Sequence, residues 1–332
     1  MERYINSFST ENDIQIALEN GELLKPYVAY IEDADRIDWN SKEIVDYTTE
    51  YLTFNILSAG TINWTASNTK FTKTIDYKLN NGEWVSITSN TGSSAPTITV
   101  NSGDKVQFRG NNTQYGNRYG LDLYSNSFGG SALFEAEGNI MSLIYGDDFK
   151  NNSTISSTYT FLGLFQQCVN LVSAENLILP ATTLANWCYQ NMFYKCTSLT
   201  TAPKLPATTL ATQCYTDMFS YCTNLTTAPS ILPATTLAQE CYRFMFSNCT
   251  SLTKAPELPA TTLVRDCYVR MFSNCSKLNY IKCLATDISA SGCTGAWLNG
   301  VASTGTFVKN PDMTSWTTGT SGIPTGWEVQ DA

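Results

Sequence analysis

One repeated phrase in the middle of the chain constrains its fold more than any other feature. LPATTL occurs four times, at intervals of 26, 27 and 26 residues, beginning at Leu179, Leu205, Leu232 and Leu258. A partial copy precedes these repeats at residues 164–171, and a decayed copy follows at residues 278–293. Repeats of this length stack to bury a shared core, and the outermost copies differ because they close the ends. The sequence therefore predicts a solenoid.

Each repeat carries two cysteines eight residues apart, and aligning the repeats produces two cysteine columns. The first column contains Cys188, Cys214, Cys241, Cys267 and Cys293, and the second contains Cys168, Cys196, Cys222, Cys249 and Cys275; Cys283 lies outside both. Leu184, Cys188 and Met192 are four residues apart, which indicates one face of a short helix. We interpret the cysteines as buried thiols that fill the core. Disulfides and a metal site are the alternatives.

The composition excludes several classes of chemistry. The chain has no histidine, so it has neither a Ser-His-Asp nor a Cys-His catalytic arrangement, and it lacks the commonest metal ligand. We find no dinucleotide-binding, P-loop or zinc-protease motif and expect neither a cofactor nor a metal. The net charge is −9, of which residues 1–50 contribute −8 from 4 basic and 12 acidic groups. Without a basic stripe, binding to nucleic acid is not expected.

The N-terminus lacks the pattern of a secretory signal. No apolar run follows a basic region, and no small-residue cleavage site is present. No apolar run approaches the roughly 18 residues that a membrane span needs, so membrane insertion is not expected. We expect the protein to mature in the cytoplasm, the alternative being that an export signal has been removed.

The residue pattern predicts a mainly β fold in four parts. Residues 1–48 are expected to form a small α+β module. Residues 49–140 contain short β-branched and aromatic runs separated by turn residues, which indicates an immunoglobulin-like β-sandwich. Residues 141–290 are expected to form a leucine-rich-repeat solenoid of parallel strands with short helical returns. Residues 291–332 are expected to form a β-rich cap over the last coil.

The repeat phrase CTSLTxAPxLPATTLxxxCYxxMFxxC resembles the BspA-type leucine-rich repeat over residues 161–290. The junction at 137–149 and the tail are similar to the segments that flank such repeats, and residues 1–48 are similar to the leading segments of phage structural proteins. The resemblance implies a surface protein of Bacteroides-type bacteria or a virion protein of their phages. It also implies adhesion rather than catalysis.

The repeats differ most at positions beside the two cysteine columns, which we expect to face water. Variation on a constant framework is how repeat proteins carry recognition, and drift on an inert surface is the alternative. The serines that precede the second column, Ser220, Ser247 and Ser273, belong to these positions. The candidate ligand-binding residues are Trp187, Tyr194, Tyr221, Glu240, Arg243, Phe244, Arg265, Asp266 and Arg270.

These observations favour a non-catalytic virion surface protein, a phage head or tail fibre, that adheres to a host surface protein, glycan or mucus. A bacterial cell-surface adhesin is the first alternative. A glycan-cleaving enzyme is the second, because Glu240 and Asp266 occupy adjacent repeats and such a site needs two carboxylates about 5 to 9 Å apart.

Residues 1–48 contain many apolar side chains for so short a segment, which indicates an interface. We expect this segment to form a homo-oligomer, a dimer or a trimer, and to attach to a capsid or tail protein. Packing against the β-domain is the alternative. The interface residues are Tyr4, Ile5, Phe8, Ile14, Leu18, Leu23, Tyr27, Val28, Tyr30 and Ile31.

Overall fold

A computed structural model describes residues 47–120 and 122–332, together with the backbone of two short strands nearer the N-terminus. These strands, β1 (Ser7–Phe8) and β2 (Tyr30–Ile31), pair in parallel. Met1–Asp46 and Tyr47–Ala332 are separate compact units. The helix expected in residues 1–48, and the ten side chains of the predicted attachment interface, lie outside the described residues.

The second unit begins with a 3-10 helix (Tyr47–Thr49) and two β-sheets. The strands of the first sheet are β3 (Leu52–Ile56), β5 (Thr74–Leu79), β6 (Val85–Thr88), β8 (Lys105–Arg109), β11 (Phe134–Asn139), β12 (Leu171–Ser173) and β13 (Leu177–Ile178). Their order is β12-β11-β3-β8-β5-β6, with β13 also paired to β11. The second sheet is antiparallel, with the order β7-β4-β10-β9; its strands are β4 (Gly60–Ala66), β7 (Thr97–Val100), β9 (Gly116–Tyr119) and β10 (Asp122–Gly130).

The two sheets contact each other through aromatic side chains. Alternation along β4 buries Ile62 and Trp64 on one face, as expected for a strand with one face in the core. The ring of Phe128 on β10 lies 4.9 Å from Phe54 on β3 and 4.7 Å from Trp64. The predicted mainly β class, with several sheets, is confirmed.

Helical structure is sparse in the described residues. It comprises one α-helix, α1 (Ser142–Tyr145), and 3-10 helices at Tyr47–Thr49, Gly92–Ser94 and Gly146–Asn151. A third sheet, near the C-terminus, contains the parallel strands β14 (Tyr280–Cys283), β15 (Thr306–Lys309) and β16 (Glu328–Asp331).

The predicted leucine-rich-repeat solenoid, with parallel strands and helical returns, is wrong. Residues 179–279, all of them described, contain no helix and no strand longer than an isolated bridge. The bridges that join successive repeats are parallel, as between Thr183 and Thr209 and between Thr209 and Thr236. The segments expected to be helical are successions of turns.

The backbone conformation of these segments explains why no helix forms. We define six turn segments, residues 159–168, 187–196, 213–222, 240–249, 266–275 and 292–300, and call residues 159–300 the repeat stack. In every turn segment the first, fifth and ninth residues have positive φ, and for the non-glycine residues φ lies between 49° and 62°. A left-handed residue at every fourth position cannot belong to a right-handed helix.

The backbone hydrogen bonds of the turn segments alternate in direction. The N–H groups of Tyr189 and Asn191 donate to the carbonyl oxygens of Cys214 and Thr216 in the next repeat, at 3.0 Å in both cases. The N–H group of Met192 instead donates within its own segment, to the carbonyl oxygen of Tyr189 at 3.2 Å. The alternation gives both sets of buried N–H groups a partner and fixes each repeat to the next.

Two ladders of aromatic rings run through the repeat stack and form its core. One contains Phe165, Phe193, Phe219, Phe246 and Phe272, with 5.2 to 5.6 Å between successive ring centroids. The other contains Phe161, Tyr189, Tyr215, Tyr242, Tyr268 and Trp297, with 5.6 to 6.0 Å between centroids. Each ring therefore covers the ring of the preceding repeat at a spacing favourable for stacked aromatic pairs.

The predicted burial of both cysteine columns is confirmed, and all eleven cysteines are free thiols. In the second column the Sγ atoms of Cys196, Cys222, Cys249 and Cys275 donate to the phenylalanine carbonyl of the preceding repeat, as from Cys196 to Phe165 at 2.9 Å and from Cys222 to Phe193 at 3.0 Å. These thiols therefore link repeats as well as filling space. Cys168, at the start of the column, instead donates to Asn170 Oδ1 at 3.2 Å. Cys283 forms a parallel β-bridge with Leu258, the first residue of the last LPATTL phrase. It therefore occupies the leucine position of a degenerate copy of that phrase.

Burial predicts slow thiol chemistry in the folded protein. The thiolate is the reactive form, and burial raises the pKa of Cys214 and Cys275 to about 12. We expect iodoacetamide to label the native thiols slowly at pH 8 and all eleven quickly after denaturation, as followed by mass spectrometry. The variant Ser93→Cys, with an exposed thiol, is the positive control. Rapid labelling of most native cysteines would show that the columns do not face the core.

Candidate functional site

A groove of about 280 Å³ lies on the surface of the repeat stack. Its lining residues come from four successive turn segments and occupy equivalent positions in them: Tyr194, Asp217, Ser220, Tyr221, Phe244, Ser247, Asn248, Arg270, Ser273 and Asn274. Because the positions repeat, the groove runs from repeat to repeat.

The middle of the groove is formed by small side chains. Ser220, Ser247 and Ser273 are equivalent residues that retain 1%, 5% and 5% of their accessible surface. Our prediction that these serines face water is wrong. Their side chains lie between two columns of larger, left-handed residues, and the Ser247 hydroxyl donates to the Ser273 carbonyl oxygen at 3.4 Å. Tyr194 occupies the same position in the preceding segment and places a ring there instead.

The two sides of the groove are columns of left-handed residues. The fifth residues of three turn segments, Asp217, Phe244 and Arg270, have φ of 55°, 55° and 49°. The ninth residues of the same segments, Tyr221, Asn248 and Asn274, all have φ of 62°. The backbone conformation that stacks the repeats therefore also sets where these side chains project.

Cationic and aromatic groups meet at the groove. The Arg270 guanidinium lies 5.7 Å from the centre of the Phe244 ring, and the Lys195 ammonium lies 5.6 Å from that of Tyr221. These distances are typical of cation–π contacts. Tyr221 keeps 42% of its surface exposed. Within the described part of the chain, neither Arg270 nor Lys195 is in an ion pair.

Asp217 contributes the carboxyl group among the groove residues. Burial raises its pKa to about 6, while a hydrogen bond with Ser220 and the positive charge of Arg243 act in the opposite direction. Desolvation disfavours the charged form of a carboxyl group. At Asp217 it outweighs the contributions of Ser220 and Arg243, so the protonated form is favoured.

Beside the groove, the first residues of the turn segments form a chain of hydrogen bonds. The Trp187 indole N–H donates to Gln213 Oε1 at 2.7 Å, and Gln213 Nε2 donates to Glu240 Oε2 at 2.9 Å. Glu240 also accepts from Gln239 Nε2 at 3.0 Å and from Arg243 Nη1 at 2.7 Å. Although burial opposes the change, the hydrogen bonds from Arg243, Gln239 and Gln213 hold the pKa of Glu240 below its usual value.

The structure divides the nine candidate residues from the sequence into three groups. Tyr194, Tyr221, Phe244 and Arg270 line the groove. Trp187, Glu240 and Arg243 lie in the hydrogen-bond chain beside it, and the Arg243 guanidinium also lies 5.0 Å from the Phe244 ring. Arg265 and Asp266 pair with each other, at 3.1 Å between Nε and Oδ2.

Several groove residues were not candidates from the sequence. Asp217, Asn248 and Asn274 lie in variable positions, but only the structure shows that they line a groove with Tyr221 and Phe244. Their variation between repeats is the signal that marks these positions.

The carboxylates considered for glycan cleavage are occupied by other contacts. Glu240, which we expected to face water, is buried, with 8% of its surface exposed, and accepts three hydrogen bonds; Asp266 is paired with Arg265. A general acid requires a raised pKa, whereas that of Glu240 is lowered.

In the described residues, no three histidine, cysteine, aspartate or glutamate side chains are placed to hold a metal ion. Over the same residues, no helix has both the length and the apolar character that a membrane span needs. No protein-family model, curated protein or solved structure matches the chain.

The raised pKa of Asp217 predicts a specific pH dependence of stability. Between pH 4 and pH 6 the folded protein retains a proton that the unfolded chain releases, so this residue's contribution to stability falls as the pH rises through that window. We compare the free energy of unfolding of Asp217→Asn with that of wild type at each pH. This difference should shift in favour of the variant by about 1 to 3 kcal/mol between pH 4 and pH 7.5.

Urea unfolding of both proteins at the two pH values measures this difference. Asp122→Asn, at an exposed position on β10, is the matched control and should show a much smaller difference between the two pH values. An effect of Asp217→Asn that is equal at pH 4 and pH 7.5 would contradict the assigned burial of this carboxyl group.

Proposed function

We propose that this chain is a non-catalytic surface protein of a phage particle, a head or tail fibre, that uses the repeat stack to adhere to the host surface. The stack provides a constant framework and presents a different set of side chains from each repeat. Such an arrangement is suited to recognition.

The observation that carries this proposal is the choice of residues at the left-handed positions. Glycine adopts this conformation without steric strain, asparagine and aspartate tolerate it, and other residues cost roughly 1 to 2 kcal/mol. In the first and last turn segments, glycine is present at Gly163, Gly292 and Gly300. The four inner segments have no glycine at any of these positions.

The inner segments therefore keep side chains where glycine would favour folding. Tryptophan, phenylalanine, tyrosine and arginine are among them, at Trp187, Phe244, Tyr221 and Arg270. Residues held in strained backbone conformations cluster at functional sites. Aromatic residues and arginine are also enriched at interfaces. An inert surface gives no reason to retain them.

The resemblance of the repeat phrase to BspA-type repeats supports an adhesive rather than a catalytic function. This resemblance is between sequences, so it is unaffected by the finding that the turn segments are not helical. The occupied carboxylates Glu240 and Asp266 also support a non-catalytic function.

Location distinguishes a virion fibre from a bacterial cell-surface adhesin. We expect antibodies against the chain to detect it in density-purified phage particles from the culture that carries its gene, and not in the outer-membrane fraction. Recovery in the outer membrane without particles would contradict a fibre and favour the cell-surface adhesin.

Attachment through the N-terminal segment is part of the same proposal. A variant that lacks residues 1–46 retains Thr48, whose carbonyl oxygen accepts a hydrogen bond from Asn139 Nδ2 at 3.0 Å, and so keeps the compact unit from Tyr47 onward. This variant should fold but be absent from the particles. If it is still incorporated, the attachment site lies elsewhere.

A further inference from the structure

We propose that the groove binds a short acidic oligosaccharide, with a carboxylate of the ligand on Arg270 and a sugar ring against Tyr221. This inference rests on the proposed adhesive function and names its ligand class. The groove crosses repeats whose stacked core rings are 5.2 to 5.6 Å apart, so side chains at equivalent positions of adjoining repeats face adjoining parts of an extended ligand.

The lining has the chemistry that carbohydrate needs. Tyr221 offers an exposed aromatic surface, against which the apolar face of a sugar ring packs. Asn248 and Asn274 offer amide donors and acceptors for ring hydroxyls, and Asn274 Nδ2 already lies 3.1 Å from Asn248 Oδ1. The volume of about 280 Å³ is close to the lower limit, roughly 300 Å³, for small-molecule sites. It therefore fits part of a chain rather than a large folded ligand.

The charges favour an acidic ligand over a neutral one, because Arg270 in the groove and Lys195 beside it outnumber the one carboxyl group of the lining, Asp217. Arg270 is exposed, and within the described residues its guanidinium has no carboxylate partner. A guanidinium binds a carboxylate with two parallel hydrogen bonds, which adds both affinity and orientation. Lys195 supplies a second cation near Tyr221. The nearby Arg243 is already paired with Glu240.

The backbone of the groove disfavours an extended peptide as the ligand. Peptides that dock as an added strand use free main-chain N–H and C=O groups. Here the N–H groups of Tyr221, Asn248 and Asn274 donate to Ser247, Ser273 and Asn299 of the next repeat, at 2.7 to 2.8 Å. These N–H groups are therefore already hydrogen-bonded to the next repeat, and the groove contacts a ligand through side chains.

Calorimetric titration of the full-length chain with matched pairs of oligosaccharides tests the proposal. The pairs are trigalacturonate with its trimethyl ester, a glucuronate-containing disaccharide with its methyl ester, and sialyllactose with lactose. We expect at least one acidic member to bind roughly ten- to a hundredfold more tightly than its neutral counterpart, the range for a hydrogen-bonded charge. Arg270→Gln should abolish that preference, and Arg270→Lys should restore it in part. Tyr221→Ala should weaken both members of the pair.

Arg118→Gln, which removes an exposed arginine from β9 outside the repeat stack, is the control and should leave binding unchanged. Equal affinity for both members of every pair, binding of an oligoglutamate peptide instead, or no binding to any acidic member would each overturn the proposal. If the chain is found on phage particles but binds none of the acidic oligosaccharides, the proposed class of ligand is wrong and the proposed fibre function stands. Release of new reducing ends from a bound oligosaccharide would instead contradict the non-catalytic function.

Discussion

The repeat stack depends on the left-handed residue at every fourth position of the turn segments. It turns alternate N–H groups toward the next repeat, so that neighbouring repeats share one ladder of hydrogen bonds. An inner turn segment has three such left-handed residues, each costing up to roughly 1 to 2 kcal/mol, and five N–H groups bonded to the next repeat, each contributing about 1 kcal/mol. These two contributions nearly cancel, so burial of the aromatic ladders stabilises the stack. A single repeat lacks both the bonds to a neighbour and the stacked rings, and would not be stable alone.

The same ladders join the stack to the structures at both of its ends. The Phe165 ring lies 5.9 Å from Phe54 of the first sheet and 5.3 Å from Phe193 of the next turn segment. At the other end, Trp297 stacks on Trp316 at 5.7 Å. No ring at either end of the ladders is left open to water, which is what an array of identical repeats requires. The core is therefore continuous from the two sheets to the C-terminal region.

The sequence predicted which residues are buried better than it predicted the backbone that buries them. Leu184, Cys188 and Met192 are buried as expected, because spacing alone places them on one side. A helix turns once every 3.6 residues, so a row with a period of four drifts by about 40° per step. Three residues in such a row span only about 80°, which is within one helical face, so their spacing could not distinguish a helix from the observed turns. Residues such as Phe244 have no preference for positive φ, so composition could not reveal the left-handed columns or the groove between them.

Stability measurements at Gln167 test the left-handed columns most directly, because this residue is exposed and has φ of 61°. Val169, two positions further along, is the control: it is also exposed, but its φ is not positive. Urea unfolding should show Gln167→Gly to be neutral or stabilising by up to about 1 kcal/mol, and Val169→Gly to be destabilising by about 0.5 to 1 kcal/mol. Gln167→Val should be destabilising by about 1 kcal/mol or more. A loss of stability in Gln167→Gly as large as that in Val169→Gly would contradict the account, because that is the result expected if Gln167 had an ordinary helical backbone.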